Sequence, residues 1–287
     1  MHKEIERQVT KEIRDLHDRS PKYRYAELSQ SEVLAAGQVE VVKLDGTYVR
    51  NSGKEKVTLL EDGRTYSVEE FAALYFERQG FQVLPTESIP FHAIFGVFFW
   101  LLVQDPADPR VRLASFGERG AAEDRRPGKM IWTNLPDDFG KPGYARRRAA
   151  EIDEHFRSLL KGGTDDLLWT FDYWVGPSED LRQYLWAHRP ADVVRAREIV
   201  RVLPPDVVRQ ILRYLIGAYW QRFCGWPDLL VYRKEEFLFA EVKSSGDELS
   251  EDQKRWIKDN HDELHFPFKV VKIHRKRIVE PVEIAGR

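Results

Sequence analysis

Between Gly225 and Trp256 the chain reads GWPDLLVYRKEEFLFAEVKSSGDELSEDQKRW, and no other stretch restricts its fold so tightly. Two strand-like runs, WPDLLVY and EFLFAEVK, flank the polar link Arg233-Lys234-Glu235-Glu236, a pattern that predicts a β-hairpin. If the hairpin is symmetric about the Lys234–Glu235 bond, Asp228 lies opposite Glu241, because both are equally far from the turn. Two carboxylates facing each other across a strand pair repel and weaken the sheet, and a divalent cation between them reverses that sign. Glu241 and Lys243 are two apart on one strand and so project from one face. Val242 points the other way, into the core, which leaves its carbonyl at the strand edge as a candidate ligand. Asp, Glu and Lys on one surface form an oxygen-donor site that suits Mg²⁺ or Mn²⁺ rather than zinc. Such an ion lowers the pKa of a bound water and stabilises charge on an attacked phosphate, with Lys243 orienting the water. A lone Glu-x-Lys recurs by chance. A Pro-Asp, a 13-residue spacing, an apolar-flanked Glu-x-Lys and a capped helix start are together far more specific, and as chemistry they point to a site that cuts nucleic acid.

The rest of the 287-residue chain supplies the setting. Charged residues make up 32% of it, yet the formal net charge is −2, so nucleic-acid binding must come from local basic patches. The single cysteine, Cys224, excludes an intrachain disulfide and a Cys-based zinc site and fits a reducing compartment. No signal-peptide pattern opens the chain, and the apolar run Ile89 to Val103, interrupted by Pro90, His92 and Gly96, is too short to span a membrane. A cytoplasmic, intracellular protein is expected, with the run forming a buried helix.

Residues 3–18 carry Ile5, Val9, Ile13 and Leu16 at helical spacing, which predicts a surface helix. From Val39 to Tyr66, short strands joined by Asp-Gly and Ser-Gly turns suggest a small β-meander serving as an N-terminal arm or lid. Its Lys43, Arg50, Lys54 and Lys56 are read as the charges that keep edge strands from aggregating, with phosphate contact as the alternative. Ser67 and Glu70 form a capping box before a helix that stops near Gly80. FQVLPTES follows as a short strand, and Glu87 stands just before the apolar helix opened by Pro90, where a carboxylate is commonly only a cap. Residues 104–145 read as a long irregular loop carrying Arg119, Arg125, Arg126, Lys129 and Lys141. Arg146, Arg147 and Arg148 are expected in the first turn of the next helix, where they oppose its dipole and favour either an external anion or nearby acidic partners. Two Pro-led amphipathic helices, PADVVRAREIVRVL and PPDVVRQILRYLIGAYWQRF, complete the region before Trp226.

With these residues in place, a resemblance follows. G-x-P-D-L-L-V-x, then F-x-x-x-E-V-K, then D-E-L-S-x-x-Q-x-x-W resembles the VRR-NUC branch of the PD-(D/E)xK nuclease superfamily, and within it the Fanconi-anaemia-associated nuclease type. LYFERQGFQVLPTESIPFHAIFGVFFWLL and VVRQILRYLIGAYWQRFCGWPDL are similar in kind, so the likeness runs from about Val68 to Arg275. It implies that Asp228 and Glu241 are metal ligands, that Val242 ligates through its carbonyl, and that Lys243 is the catalytic lysine. It also implies a metal-binding role for Glu87, which sequence alone would not join to Asp228 across 141 positions. Gln253 would support the site or touch the scissile strand, and Trp256 would pack in the core. Ser244 and Ser245 stand where that family commonly has a Gly-Pro-like pair, and residues 1–66 match nothing in it.

The resulting expectation is an α/β protein with a PD-(D/E)xK restriction-endonuclease-like core, a mixed sheet flanked by helices. Residues 1–66 would form an N-terminal helix and β-meander extension, residues 67–222 a helical region contributing Glu87, and residues 223–287 the catalytic core. The activity expected is Mg²⁺- or Mn²⁺-dependent hydrolysis of flap or branched DNA by a monomer or homodimer. The alternatives are a dimeric Holliday-junction resolvase and a non-catalytic nucleic-acid-binding protein. Arg125, Arg126, Lys129, Arg146, Arg147, Arg275 and Arg277 are the candidate DNA contacts, with His274 and Lys276 in the same basic tail.

Overall fold

The computed structural model describes residues 28–49, 58–117 and 130–279. In chain order its first elements are α1 (Gln30–Ala36), β1 (Glu40–Val49), β2 (Thr58–Glu61), β3 (Arg64–Tyr66), α2 (Val68–Glu77), β4 (Gln82–Pro85) and α3 (Ile89–Val103). A middle group follows: β5 (Val111–Gly117), β6 (Met130–Pro136), α4 (Pro142–Arg147), α5 (Ala149–Ser158), α6 (Thr164–Trp174), α7 (Glu179–Tyr184), α8 (Pro190–Val202), α9 (Pro205–Gly217) and α10 (Tyr219–Arg222). The last are β7 (Leu229–Arg233), β8 (Glu236–Lys243), α11 (Glu251–Asp259), which runs into a π-helical turn at Asn260–Leu264, and β9 (Phe268–Val279). The described residues divide into two compact units, one within 88–224 and one joining 28–87 with 225–279.

The second unit is a mixed α/β layer. Its seven strands are ordered β3-β2-β1-β9-β8-β7-β4, with β1/β9 and β9/β8 parallel and the other pairs antiparallel. β7 and β8 pair with Arg233 opposite Glu236 and Leu229 opposite Ala240, the register expected from the symmetric hairpin. One sheet face buries Leu59, Leu229, Ala240, Val242 and Val271 against Phe71 and Phe76 of α2. The other face receives α11, whose Trp256 stacks edge-on to Phe239 and Phe268, and α1 packs beside α11. Capping boxes at Ser67/Glu70 and Ser250/Gln253 start α2 and α11, as their sequences require.

The meander expected from Val39 to Tyr66 as an arm or lid supplies β1, β2 and β3 to this sheet, and β1 lies inside it between β2 and β9. Asp45-Gly46, expected to turn, stays within β1, where a register shift between Gly46 and Thr47 absorbs the irregularity. A Cβ on Gly46 would stand 2.2 Å from Leu59 Cδ2, so this glycine serves close packing rather than a bend. The turn of this region is Asp62-Gly63 between β2 and β3, with both residues at positive φ. The surface helix expected over residues 3–18, and Arg50, Lys54 and Lys56, lie outside the described residues.

The first unit is helical around α3, where Phe91, Phe95, Phe98 and Phe99 are fully buried. Residues 104–145, expected to be irregular, contain the β5–β6 hairpin, paired from Val111/Pro136 to Gly117/Met130. Val111 pairs with Pro136, Leu113 with Asn134 and Phe116 with Ile131, in strands whose β-forming residues outweigh the surrounding Pro, Gly and Asp. The expected arginine-led helix is two helices. Pro142 opens α4, placing Arg146 and Arg147 in a last turn rather than a first, and Arg148 breaks the run with φ −100° and ψ 20°. No described helix is long and apolar enough to cross a membrane.

Candidate active site

β7 ends its ladder one pair short of Asp228 and Glu241. At that point the Asp228 carboxylate replaces the missing backbone partner, its Oδ2 accepting the Val242 N–H at 2.7 Å. On the other side of Asp228, the Thr86 N–H donates to the Asp228 carbonyl at 2.8 Å, and the Thr86 hydroxyl donates to the Pro227 carbonyl at 2.6 Å. Thr86 is fully buried. This clasp locks the end of β4 to the Pro-Asp corner and fixes the backbone next to Glu87. Glu87 has φ +47°, a left-handed conformation unusual for its type, and its side chain is exposed.

Glu241 and Lys243 project from one face of β8, as their spacing dictates, and both are buried. Glu241 Oε1 accepts from Lys243 Nζ at 2.8 Å and from Gln253 Nε2 at 2.5 Å. Gln253 Oε1 in turn accepts from Lys243 Nζ at 2.9 Å and from the Ser250 N–H at 2.9 Å. One residue thus closes the N-terminal cap of α11 and ties the helix to both of these β8 side chains. Gly225 sets how closely that helix can approach: its φ is +87°, and a Cβ there would lie 2.2 Å from the Asp252 carbonyl oxygen.

The two carboxylates are poorly tolerated as they stand. Burial, then the neighbouring Asp228 carboxylate, pushes Glu241 up to about 8, against the opposing pull of Lys243. Burial also raises Asp228, with Glu69 in the first turn of α2 adding a smaller push the same way. The carboxyl groups are within hydrogen-bonding reach of each other, so the pair holds on to a proton. An all-oxygen donor set with excess negative charge, buried beside one lysine, fits a hard divalent cation. Among the described residues, however, no group of three or more His, Cys, Asp or Glu side chains is gathered tightly enough to hold a metal ion. The structure therefore brings together Asp228, Glu241, Lys243 and Gln253, and places the Glu87 backbone beside them without bringing its carboxylate into a three-acid cage.

Sequence reading missed Thr86, Glu69 and Asp247. Asp247 accepts the Ser244 N–H at 2.9 Å and shapes the loop after Lys243, while the Ser245 N–H donates to the Tyr48 hydroxyl at 3.1 Å. The only available hint was a threonine before Glu87 and an aspartate three residues after Ser244, both common turn residues.

Of the candidate DNA contacts, Arg125, Arg126 and Lys129 lie outside the described residues. Arg147 is bound on both sides, to Asp108 at 2.9 Å and to Asp138 at 2.8 Å, and Arg148 to Asp105 and Asp108, so both are committed inside the first unit. Arg146 and Arg277 are exposed, and Arg275 lies over the Tyr48 ring at 5.3 Å.

Residues 178–274 match the VRR-NUC domain, a span that includes Asp228, Glu241, Lys243, Gln253 and most of β9. That stretch is similar to a VRR-NUC domain. A Fanconi-associated nuclease 1 homolog from Arabidopsis thaliana is 27% identical over 206 residues, 69% of this chain and 21% of that protein. Fanconi-associated nuclease 1 from Ailuropoda melanoleuca is 24% identical over 248 residues, 82% of this chain and 22% of that protein. The chain spans about a fifth of the length of these curated relatives. The crystal structure of paFAN1 bound to 2nt 5′-flap DNA with gap superimposes with a TM-score of 0.55 at 17% identity, covering 86% of this chain and 38% of that one. That likeness establishes a shared fold, a mixed sheet flanked by helices. Glu69, Thr86 and Glu87 stand upstream of the stretch similar to a VRR-NUC domain yet belong to the same compact unit as its acidic pair.

Proposed function

We propose that this chain is a divalent-metal-dependent deoxyribonuclease that hydrolyses phosphodiester bonds in flap or branched DNA. The observation that carries the proposal is the buried Asp228–Glu241–Lys243–Gln253 cluster, in which two crowded carboxylates share one lysine. The names of the relatives and the flap DNA bound by paFAN1 support the substrate class. In this reading Asp228, Glu241 and the Val242 carbonyl hold Mg²⁺ or Mn²⁺, with Glu87 as the third carboxylate. The ion supplies a lowered water pKa and charge stabilisation at the phosphate. Lys243, fixed by Glu241 and Gln253, orients the attacking water and offsets negative charge on the phosphate. Gln253 is a positioning residue, since its two bonds hold Lys243 and Glu241 at one spacing. The protein is expected to act inside the cell.

The test is cleavage of labelled 5′-flap and four-way-junction DNA in Mn²⁺ by the parent, Asp228→Ala and Glu87→Ala. Asp228→Ala should lose at least about a hundredfold in rate, the scale seen when groups that stabilise a transition state are removed. Glu87→Ala should lose cutting while retaining DNA binding. Equal cutting by parent and Asp228→Ala would sink the site assignment, retained cutting by Glu87→Ala would remove that residue from it, and junction-only cutting would favour a resolvase.

A further inference from the structure

Lys243 is not alone on its face of the sheet. In the register of the parallel strands, Lys243 of β8 stands beside Lys272 of β9, and Lys272 stands beside Lys43 of β1. Laterally paired residues share a face, so three lysines form one row across three neighbouring strands. At a strand spacing of about 4.8 Å the row extends about 10 Å from the catalytic lysine. It lies at the margin of the face covered by α11. Lys243 is buried, Lys272 half-buried and Lys43 exposed, so the row leads from the site to solvent.

Like charges set side by side in a sheet are destabilising, and this sheet elsewhere avoids them. Lys269 of β9 stands beside Glu40 of β1 and pairs with it at 2.9 Å. Lys276 is 3.6 Å from Asp45. Within the row, Glu241 pairs with Lys243, and Asp247 senses both Lys243 and Lys272, but its carboxylate is bonded to the Ser244 N–H. Neither Lys43 nor Lys272 makes an ion pair with a described residue. Because β1 is an interior strand, Lys43 cannot be explained as protection of a sheet edge.

We infer that Lys43 and Lys272, in line with Lys243, form a phosphate track that guides one strand of the nucleic acid between the catalytic site and solvent. The track extends the nuclease reading and depends on it for its ligand. It also gives a role to β1, which lies outside residues 178–274, the stretch similar to a VRR-NUC domain. Each lysine lies beside the next, so a strand crossing β8, β9 and β1 meets positive charge at every step. The like-charge cost paid by the free protein is relieved when phosphates are present.

The test is anisotropy titration of labelled 5′-flap DNA in EDTA, over a salt series from about 50 to 200 mM. The proteins are the parent, Lys43→Gln, Lys272→Gln and, as a control of equal charge change, Lys269→Gln. Each track variant should bind roughly three- to tenfold more weakly at low salt and reduce the slope of log affinity against log salt by about one. Lys269→Gln should change neither. Lys272→Gln should also raise the Tm of the free protein by roughly 1–3 °C, the reverse of what loss of a structural lysine would do. Unchanged affinity and slope in Lys272→Gln, with a parent that binds and cuts DNA, would overturn the track and leave the nuclease reading intact. Equal losses in Lys269→Gln would also overturn it, by showing bulk charge alone. Lysine-dependent binding together with full cutting by Asp228→Ala would uphold the track and defeat the catalytic assignment.

Discussion

Glu241 accepts hydrogen bonds from Lys243 and Gln253 and still holds its proton up to about 8, because burial and the Asp228 carboxylate outweigh both donors. In the unfolded chain the same carboxyl titrates near the ordinary glutamate value of 4.5. Between those two values the folded state binds more protons than the unfolded state, so Glu241 costs stability progressively as pH rises from about 4.5 to 8. Glu241→Gln removes that dependence. In EDTA, the unfolding free energy of Glu241→Gln minus that of the parent should grow by roughly 2 kcal/mol between pH 5 and pH 8, at about 1.4 kcal/mol per pKa unit and less for a shared proton. Urea denaturation at the two pH values measures it. A constant difference would show that the pair is not crowded in solution. Bound Mn²⁺ should remove the same slope from the parent, since the ion takes the place of the proton.

At the scale of elements, legibility followed the strength of the local signal. The hairpin register was readable because a two-residue turn fixes it, and Ser67/Glu70 announced the start of α2. Pro90, Pro190 and Pro205 likewise fall in the first turns of α3, α8 and α9. Asp45-Gly46 misled because an Asp-Gly pair signals a turn only when the strand must reverse, and pairing with β9 on one side and β2 on the other carries β1 straight through. The break at Arg148 was hidden because Asp105 and Asp108, which hold its guanidinium, are forty or so positions away. Asp228 and Glu241 were legible from one strand pair, whereas Thr86 and Glu69 reach the site only through the long-range pairing of β4 and the packing of α2. Gly225 is a backbone position on which the close approach of α11 depends. Gly225→Ala should lower stability by roughly 2–3 kcal/mol, through both a strained φ and a clash with the Asp252 carbonyl. By displacing Gln253 it should also reduce turnover more than DNA affinity. Native stability with normal turnover would mean that α11 is free to shift and that Gln253 is not held by the glycine turn.

For the molecule as a whole, the two compact units respond to pH with opposite sign. The helical unit buries His92 against the Tyr219 hydroxyl, with a 2.6 Å hydrogen bond to Nδ1, and burial pushes the imidazole down to about 3. Burial also lowers His155, whose Nε2 bonds the Phe98 carbonyl. Both rings are therefore neutral in the fold. Below their unfolded value of 6.5 the unfolded chain gains protons that the folded unit refuses, so stability of this unit falls as pH drops. At pH 5 the His92 contribution alone is about 2 kcal/mol. The Asp108 and Asp138 carboxylates, held low by Arg147 despite their burial, act in the same direction at lower pH. In the sheet unit, Glu241 and Asp228 work the other way and relax as pH drops. Hydrogen exchange of the metal-free protein, corrected for intrinsic rates, should show protection of α3 amides decreasing from pH 7.5 to pH 5 while that of β8 amides increases. His92→Gln should flatten the α3 change without altering the β8 change. If α3 and β8 moved together in the parent, the units would open as one cooperative body, and the charges in each could not be tuned independently.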